Sequence, residues 1–362
     1  MTTTLDSIMD NQNPIVGIGA IDCDVHIRSP NQADLMPFLD DYWQDMFPYR
    51  GIDEMELTSA PHMSRHFNRA GAVGGGAQSP KELAENLLDP LQLSAAIVSV
   101  VNAAQAIYDP YLATAMCQAI NKWIVAEWLD KEPRLRASLV VPFQYPEKAV
   151  EEIQKYANDS RFVQILAITG GENPLGKRMY WPIYKAASDA GMALSIHPAS
   201  AYRHSPTASG YPSYLVEQQV SWVQSFGSQM TSLLTEGVMT EFSDMKIVMA
   251  ETGVAWYFGL SWRIAKDWRG VRVEMPWINE SPEKILERSI RMTIAPFDAP
   301  PNPDDGQMVI DCIGSADMLL YSSDYPHDYK DVLGAWPAAI PTQHVQKICI
   351  DNILATYPRL KV

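Results

Sequence analysis

The chain has 362 residues, 47% of them hydrophobic, enough to bury a large core as one big domain or two smaller ones. Asp and Glu outnumber Lys and Arg by 43 to 28, and the resulting formal charge of −15 argues against nucleic acid or an anionic membrane surface as a partner. The four cysteines, Cys23, Cys117, Cys312 and Cys349, are scattered and form no CxxC pair, so they read as reduced thiols rather than a zinc knuckle or a disulfide framework.

Residues 1–17, opening "MTTTLDSIMDNQNP", have neither the basic start nor the apolar run of a secretory leader, so a frayed polar beginning and a cytoplasmic chain are expected. No later stretch approaches the roughly 18 uncharged apolar residues of a membrane span. The first candidate strand is "IGAIDCDV" at 18–25. It is followed at 43–90 by a long segment that includes "RAGAVGGGAQSP", rich in glycine and poor in strand pattern, which reads as a lid-like insertion over one end of the fold. "SAAIVSVV" (94–101) is the second strand and "YLATAMCQAINKWIVAEWLDKEP" (111–133) an amphipathic helix behind it.

Strands at 135–142 ("LRASLVVP") and 162–168 ("FVQILAI") alternate with helices at 146–159 and 180–191, the last stopping at Gly191. "MALSIH" (192–197) is a fifth strand, extended by a connection at 201–219, and "MKIVMAE" (245–251) a sixth. Tryptophans recur at near-helical spacing in "WYFGLSWRIAKDWRG", with Trp277 beyond, a pattern of core or subunit contact that would suit a homodimer or higher homo-oligomer. "RMTIAPF" (291–297) and "MLLYSSD" (318–324) complete eight strands. Several lack polar alternation, as parallel strands covered on both faces do. Eight β-then-α units predict one α/β domain over 18–362, a closed (β/α)8 TIM barrel; an open doubly wound sheet is disfavoured because no GxGxxG follows the first strand.

In such a barrel the reactive groups sit at the carboxyl ends of the strands. Strand one ends in Asp24-x-His26, whose period-two spacing puts both side chains on one face. Strand five ends in His197, strand six in Glu251, and strand eight in Asp324, with His327 three residues on. Two imidazoles and two carboxylates converging there suit one divalent cation, zinc ahead of manganese. Asp22 is expected to be a turn or supporting residue. His62 and His66 have the i, i+4 spacing of a helical metal pair but no HExxH glutamate, so a structural or lid role is expected, and His344 is expected at the surface.

These residues, with "IDCDVH", "LRASLVVP", "YWPIY", "HPASAYRH" and "SSDYPH" in order, make the chain similar to a family of metal-dependent, amidohydrolase-related TIM barrels. That family includes aminocarboxymuconate semialdehyde decarboxylase and the hydroxybenzoate decarboxylases. The resemblance implies that Asp24, His26, His197 and Asp324 hold the metal and that Asp324 also moves a proton. The chain departs from the family at strand six, where Glu251 stands in place of a histidine.

Two chemistries use this set on a small-molecule substrate. In hydrolysis, a metal-bound water deprotonated by Asp324 attacks an ester, lactone or amide, with Glu251 or His327 orienting the water or protonating the leaving group. In non-oxidative decarboxylation, Asp324 protonates the carbon that loses carbon dioxide from an aromatic or unsaturated acid. Arg203, His204 and Arg28 are the cations available to an anionic substrate. The missing histidine and the added Glu251 carboxylate tip the expectation toward hydrolysis. A barrel that binds a small molecule without turnover is the remaining alternative.

Overall fold

The computed structural model describes residues 13–50, 76–200, 209–300, 302–327 and 334–361. Eight parallel strands pair in chain order: β1 (Ile21–His26), β2 (Ala95–Ser99), β3 (Leu135–Val140), β4 (Phe162–Gly170), β5 (Ala193–Ser200), β6 (Ile247–Met249), β7 (Ile290–Thr293) and β8 (Leu319–Leu320). Every residue of β1, β2, β6, β7 and β8 is buried, because each strand lies between the barrel interior and an outer layer of helices. That layer contains α1 (Pro110–Ile124), α2 (Pro146–Tyr156), α3 (Trp181–Asp189), α4 (Leu215–Thr235), α5 (Ala255–Val271), α6 (Pro282–Ser289) and α7 (Gly306–Ile313). The α1 start has a clear cause: Asp109 accepts from the backbone N–H groups of Tyr111 and Leu112, and Pro110 gives up no hydrogen bond at the first helical position. Among the described residues no helix is long and apolar enough to cross a membrane.

The barrel closes where β1 meets the segment after β8. Cys23 donates to the Tyr321 carbonyl at 3.0 Å, Asp324 to Asp24 at 3.1 Å and His26 to Tyr325 at 2.7 Å. Regular β8 is only two residues long, against the seven expected from 318–324, because this segment leaves β7 and bends toward β1. The interior of β2 to β4 is tied by a polar chain. Tyr357 donates to Gln164 Oε1 (2.8 Å), the Gln164 amide donates to Ser138 Oγ (2.8 Å), and the Ser138 and Ser99 hydroxyls are 2.9 Å apart.

Three sequence expectations meet specific features. Within the stretch read as frayed, Ile15 is fully buried, so the packed fold begins before residue 18; residues 1–12 lie outside the described residues. The insertion carries a helix at Asp41–Arg50 and a short one at Pro80–Leu83, while its centre, 51–75, lies outside the described residues. Its returning end pairs with the tip of β1, Arg28 donating to Ala77 and Ala77 to His26. Only glycine fits at 76 there, since a Cβ would stand 2.3 Å from the Ile27 carbonyl carbon. Of the tryptophans, Trp256 and Trp268 pack on the core, whereas Trp262 and Trp277 are exposed. All four cysteines are free.

Candidate metal centre

The carboxyl ends of β1, β5, β6 and β8 bring six titratable side chains to one point. His26 Nε2 lies 3.1 Å from Asp324 Oδ1, 3.3 Å from His197 Nε2, and 3.9 Å from both Asp24 Oδ1 and Glu251 Oε2. His197 Nε2 is 3.2 Å from Glu251 Oε2, and His327 Nδ1 is 2.8 Å from Asp324 Oδ1. The ligating atoms of Asp24, His26 and His197, and those of His26, Glu251, Asp324 and His327, each fall within 4.8 Å of one another.

Two of the carboxylates are aimed by unusual backbone. Glu251 and Asp324 have φ of 51° and 53°, the left-handed region that non-glycine residues rarely adopt. The first is pinned from the neighbouring strand, its N–H donating to Thr293 Oγ1 at 2.9 Å. The second is followed by the His327 N–H donating to the Asp324 carbonyl at 2.8 Å. Thr293 was not singled out from sequence, although a polar residue inside the apolar run "RMTIAP" is the signal that marks it.

Burial pushes the Asp24 carboxyl up to about 6 against the pull of His197 and His26. Burial also opposes ionisation of Asp324, but His327 and His26 outweigh it and hold that carboxyl well below its ordinary range. Burial lowers His197. At His327 burial works against the imidazolium, yet the charge and hydrogen bond of Asp324 dominate and raise it to about 10. Of this last pair, the histidine keeps the proton.

This donor set fits a divalent cation. Asp24 Oδ2 and Asp324 Oδ2 are buried and have no hydrogen-bond partner among the described residues, which is costly for carboxylates unless a cation faces them. Two imidazoles with several carboxylates is a set that both zinc and manganese accept.

The remaining sequence candidates are placed differently. Arg28 is committed elsewhere: its guanidinium holds Asp34 through two bonds, 2.5 and 2.8 Å, and lies 5.1 Å from the Trp123 ring centre. Arg203, His204, His62 and His66 lie outside the described residues. His344 meets Gln307 at 3.1 Å, remote from the cluster in the chain's last helical segment. Asp22 is fully buried, its carboxyl pushed up to about 7 by burial. Beside the cluster, a pocket of about 470 Å³ opens between the ends of β7 and β8; its lining includes Phe297, Trp336, Ser322 and His327, and among the described residues no Asp, Glu, Lys or Arg.

A family model described as amidohydrolase matches residues 21–359. A gamma-resorcylate decarboxylase of Rhizobium sp. (strain MTP-10005) is 24% identical over 265 residues, 69% of this chain and 78% of that protein. The solved structure of an amidohydrolase from Mycobacterium avium subsp. paratuberculosis K-10 superposes with a TM-score of 0.68 at 19% identity, covering 96% of this chain and 99% of that one. A 5-carboxyvanillate decarboxylase from Novosphingobium aromaticivorans, solved with manganese and 4-hydroxy-3-methoxy-5-nitrobenzoic acid, superposes at 0.67 with 16% identity over 94% of this chain and 96% of that one. At these identities the two structures speak to the shared fold.

Proposed function

The chain belongs to the amidohydrolase family, and from that premise we propose that it is a divalent-metal-dependent, non-oxidative decarboxylase of a small aromatic carboxylic acid. The observation that supports the reading is the gathering of Asp24, His26 and His197 in one group and of His26, Glu251, Asp324 and His327 in another that shares His26, with the buried Asp24 Oδ2 and Asp324 Oδ2 left for a cation. Support for decarboxylation comes from the relatives: the curated matches at 24 to 25% identity are gamma-resorcylate decarboxylases. This reverses the preference for an ester, lactone or amide drawn from the sequence, where Glu251 alone tipped the balance. The pocket beside His327, walled by Phe297 and Trp336, is of a kind that takes an aromatic ring.

Asp24, His26, His197 and Asp324 would hold the cation, with Glu251 near enough to His197 to share in the site. A cation held there would supply a positive centre to anchor and orient the substrate carboxylate. Asp324 and His327 share a proton across 2.8 Å, and His327 keeps it. Delivered through that pair to the ring carbon bearing the carboxylate, the proton forms the new C–H bond. The electrons of the breaking C–C bond return to the ring, and carbon dioxide leaves. The charge of His327 would also offset the anionic substrate.

The test is a panel of hydroxybenzoates, including gamma-resorcylate and 5-carboxyvanillate, assayed beside esters, lactones and amides with zinc-loaded and manganese-loaded protein. Release of carbon dioxide with one solvent deuterium at the vacated ring carbon is expected. Turnover of an ester, lactone or amide with solvent oxygen incorporated, and no carbon dioxide from any acid, would restore the hydrolytic reading. Metal-loaded protein that turns over nothing in either panel would favour a binding role.

A further inference from the structure

Asp22 is a fully buried carboxylate that neither chemistry uses, two residues before the first of the metal-binding candidates. Its Oδ1 accepts two backbone hydrogen bonds, one from Asp24 N–H at 3.1 Å and one from Ser323 N–H at 3.1 Å, the latter 301 residues away in sequence. These two donors lie at the seam where the barrel closes, and there the pairing is irregular. Cys23 N–H reaches the Tyr321 carbonyl, which in a regular parallel ladder would turn Ser323 N–H toward the carbonyl of Cys23. A few residues on, His26 N–H reaches Tyr325, and Val25 bridges Tyr325, so the partners have slipped by one. The register of β1 against β2 shifts over the same stretch, between Asp22 and Val25.

A slip of this kind leaves backbone donors without ladder carbonyls, and buried donors need acceptors. One oxygen of Asp22 serves both. The consequence is geometric: Asp24 and Asp324 stand on opposite strands of the slipped seam, and the same atom holds the amide of the first and the amide immediately before the second.

We propose that Asp22 is a positioning residue of the metal centre, its Oδ1 replacing the missing ladder carbonyl and fixing the spacing of Asp24 and Asp324 across the β1–β8 seam. The proposal rests on reading those two residues as metal ligands. It assigns the effect to an acceptor oxygen rather than to negative charge, so Asp22→Asn, which keeps a carbonyl at that position, and Asp22→Val, which does not, should part company.

The measurement is the affinity of the metal-free protein for Zn²⁺ and for Mn²⁺ alone, by competition with a chromogenic chelator, with the melting temperature of each metal-free variant recorded alongside. Asp22→Asn should bind within about threefold of wild type. Asp22→Val should bind roughly 10- to 100-fold more weakly, the usual loss when a residue that orients metal ligands is removed. A folded Asp22→Val protein with wild-type affinity would overturn the proposal. If that variant does not fold, Asp22→Asn decides alone: a tenfold loss there makes the charge, not the oxygen, the operative feature and equally overturns it. Wild-type protein that binds neither ion would instead sink the metal reading itself, and the proposal with it.

Discussion

The two sides of the barrel are built to different standards. From β2 to β4 the strands are long and the interior is a satisfied chain of hydrogen bonds running from Tyr357 through Gln164 and Ser138 to Ser99. From β6 to the seam with β1 the regular strands shrink to three, four and two residues, two non-glycine residues sit at positive φ, and three buried carboxylate oxygens, on Asp22, Asp24 and Asp324, lack partners among the described residues. Of the six clustered side chains, none comes from β2, β3 or β4. The strands are shortest, and the non-glycine positive-φ backbone beside them sits, where side chains must be aimed at one point.

This contrast can be broken by experiment. The largest effect is expected at Asp324→Asn, which removes the carboxylate that holds the His327 proton on the irregular side. Decarboxylation should fall by about 10³-fold with the circular dichroism spectrum unchanged. Retained activity would free Asp324 from proton transfer. Chelation of the metal comes next. A ligand at a hundred times its Kd contributes about 2.7 kcal/mol, so stripping it should lower Tm by about 3 to 4 °C for a domain of 362 residues. Calorimetry of loaded and stripped protein checks this, and identical melting curves would contradict a bound ion.

Smaller changes sharpen the division. Ser138→Ala, on the regular side, leaves the buried Gln164 amide without its acceptor and should cost about 1 to 3 kcal/mol in urea unfolding while kcat stays within about twofold. Thr293→Val, on the irregular side, deprives the Glu251 N–H of its acceptor. It should cost only about 1 kcal/mol yet lower kcat several-fold, because it releases the backbone that aims a clustered carboxylate. If Ser138→Ala slowed turnover as much as Thr293→Val does, the separation of labour between the two sides would not stand.

The same contrast explains what the sequence discloses. Eight apolar segments alternate with helices, and the chain order of the strands is their spatial order, so the barrel and the placing of Asp24, His26, His197, Glu251 and Asp324 at strand ends follow from periodicity. The boundaries found for β1 to β5 stay within about three residues of those read from pattern. The shortened β8 was not legible, because the segment after it pairs in a slipped register with β1, some 300 residues away, rather than by local preference. For the same reason Asp22 looks like turn filler in "IDCDVH": its partners include an amide that only the closed barrel brings near. Arg28 fails in the opposite sense, since the residue that captures it, Asp34, lies six positions on in the cap of the next helix and could have been noticed.

The seam between β1 and the end of β8 has a further consequence for the lifetime of the protein. The first and last strands of the barrel are joined by a handful of backbone bonds, and the clustered side chains of Asp24, His26 and Asp324 straddle that join. A cation held from both sides would therefore also clasp the barrel, and opening the seam would require releasing it. Under metal starvation the protein is expected to disappear by proteolysis before a pool of intact, inactive molecules builds up, so that its abundance in the cell would follow metal supply.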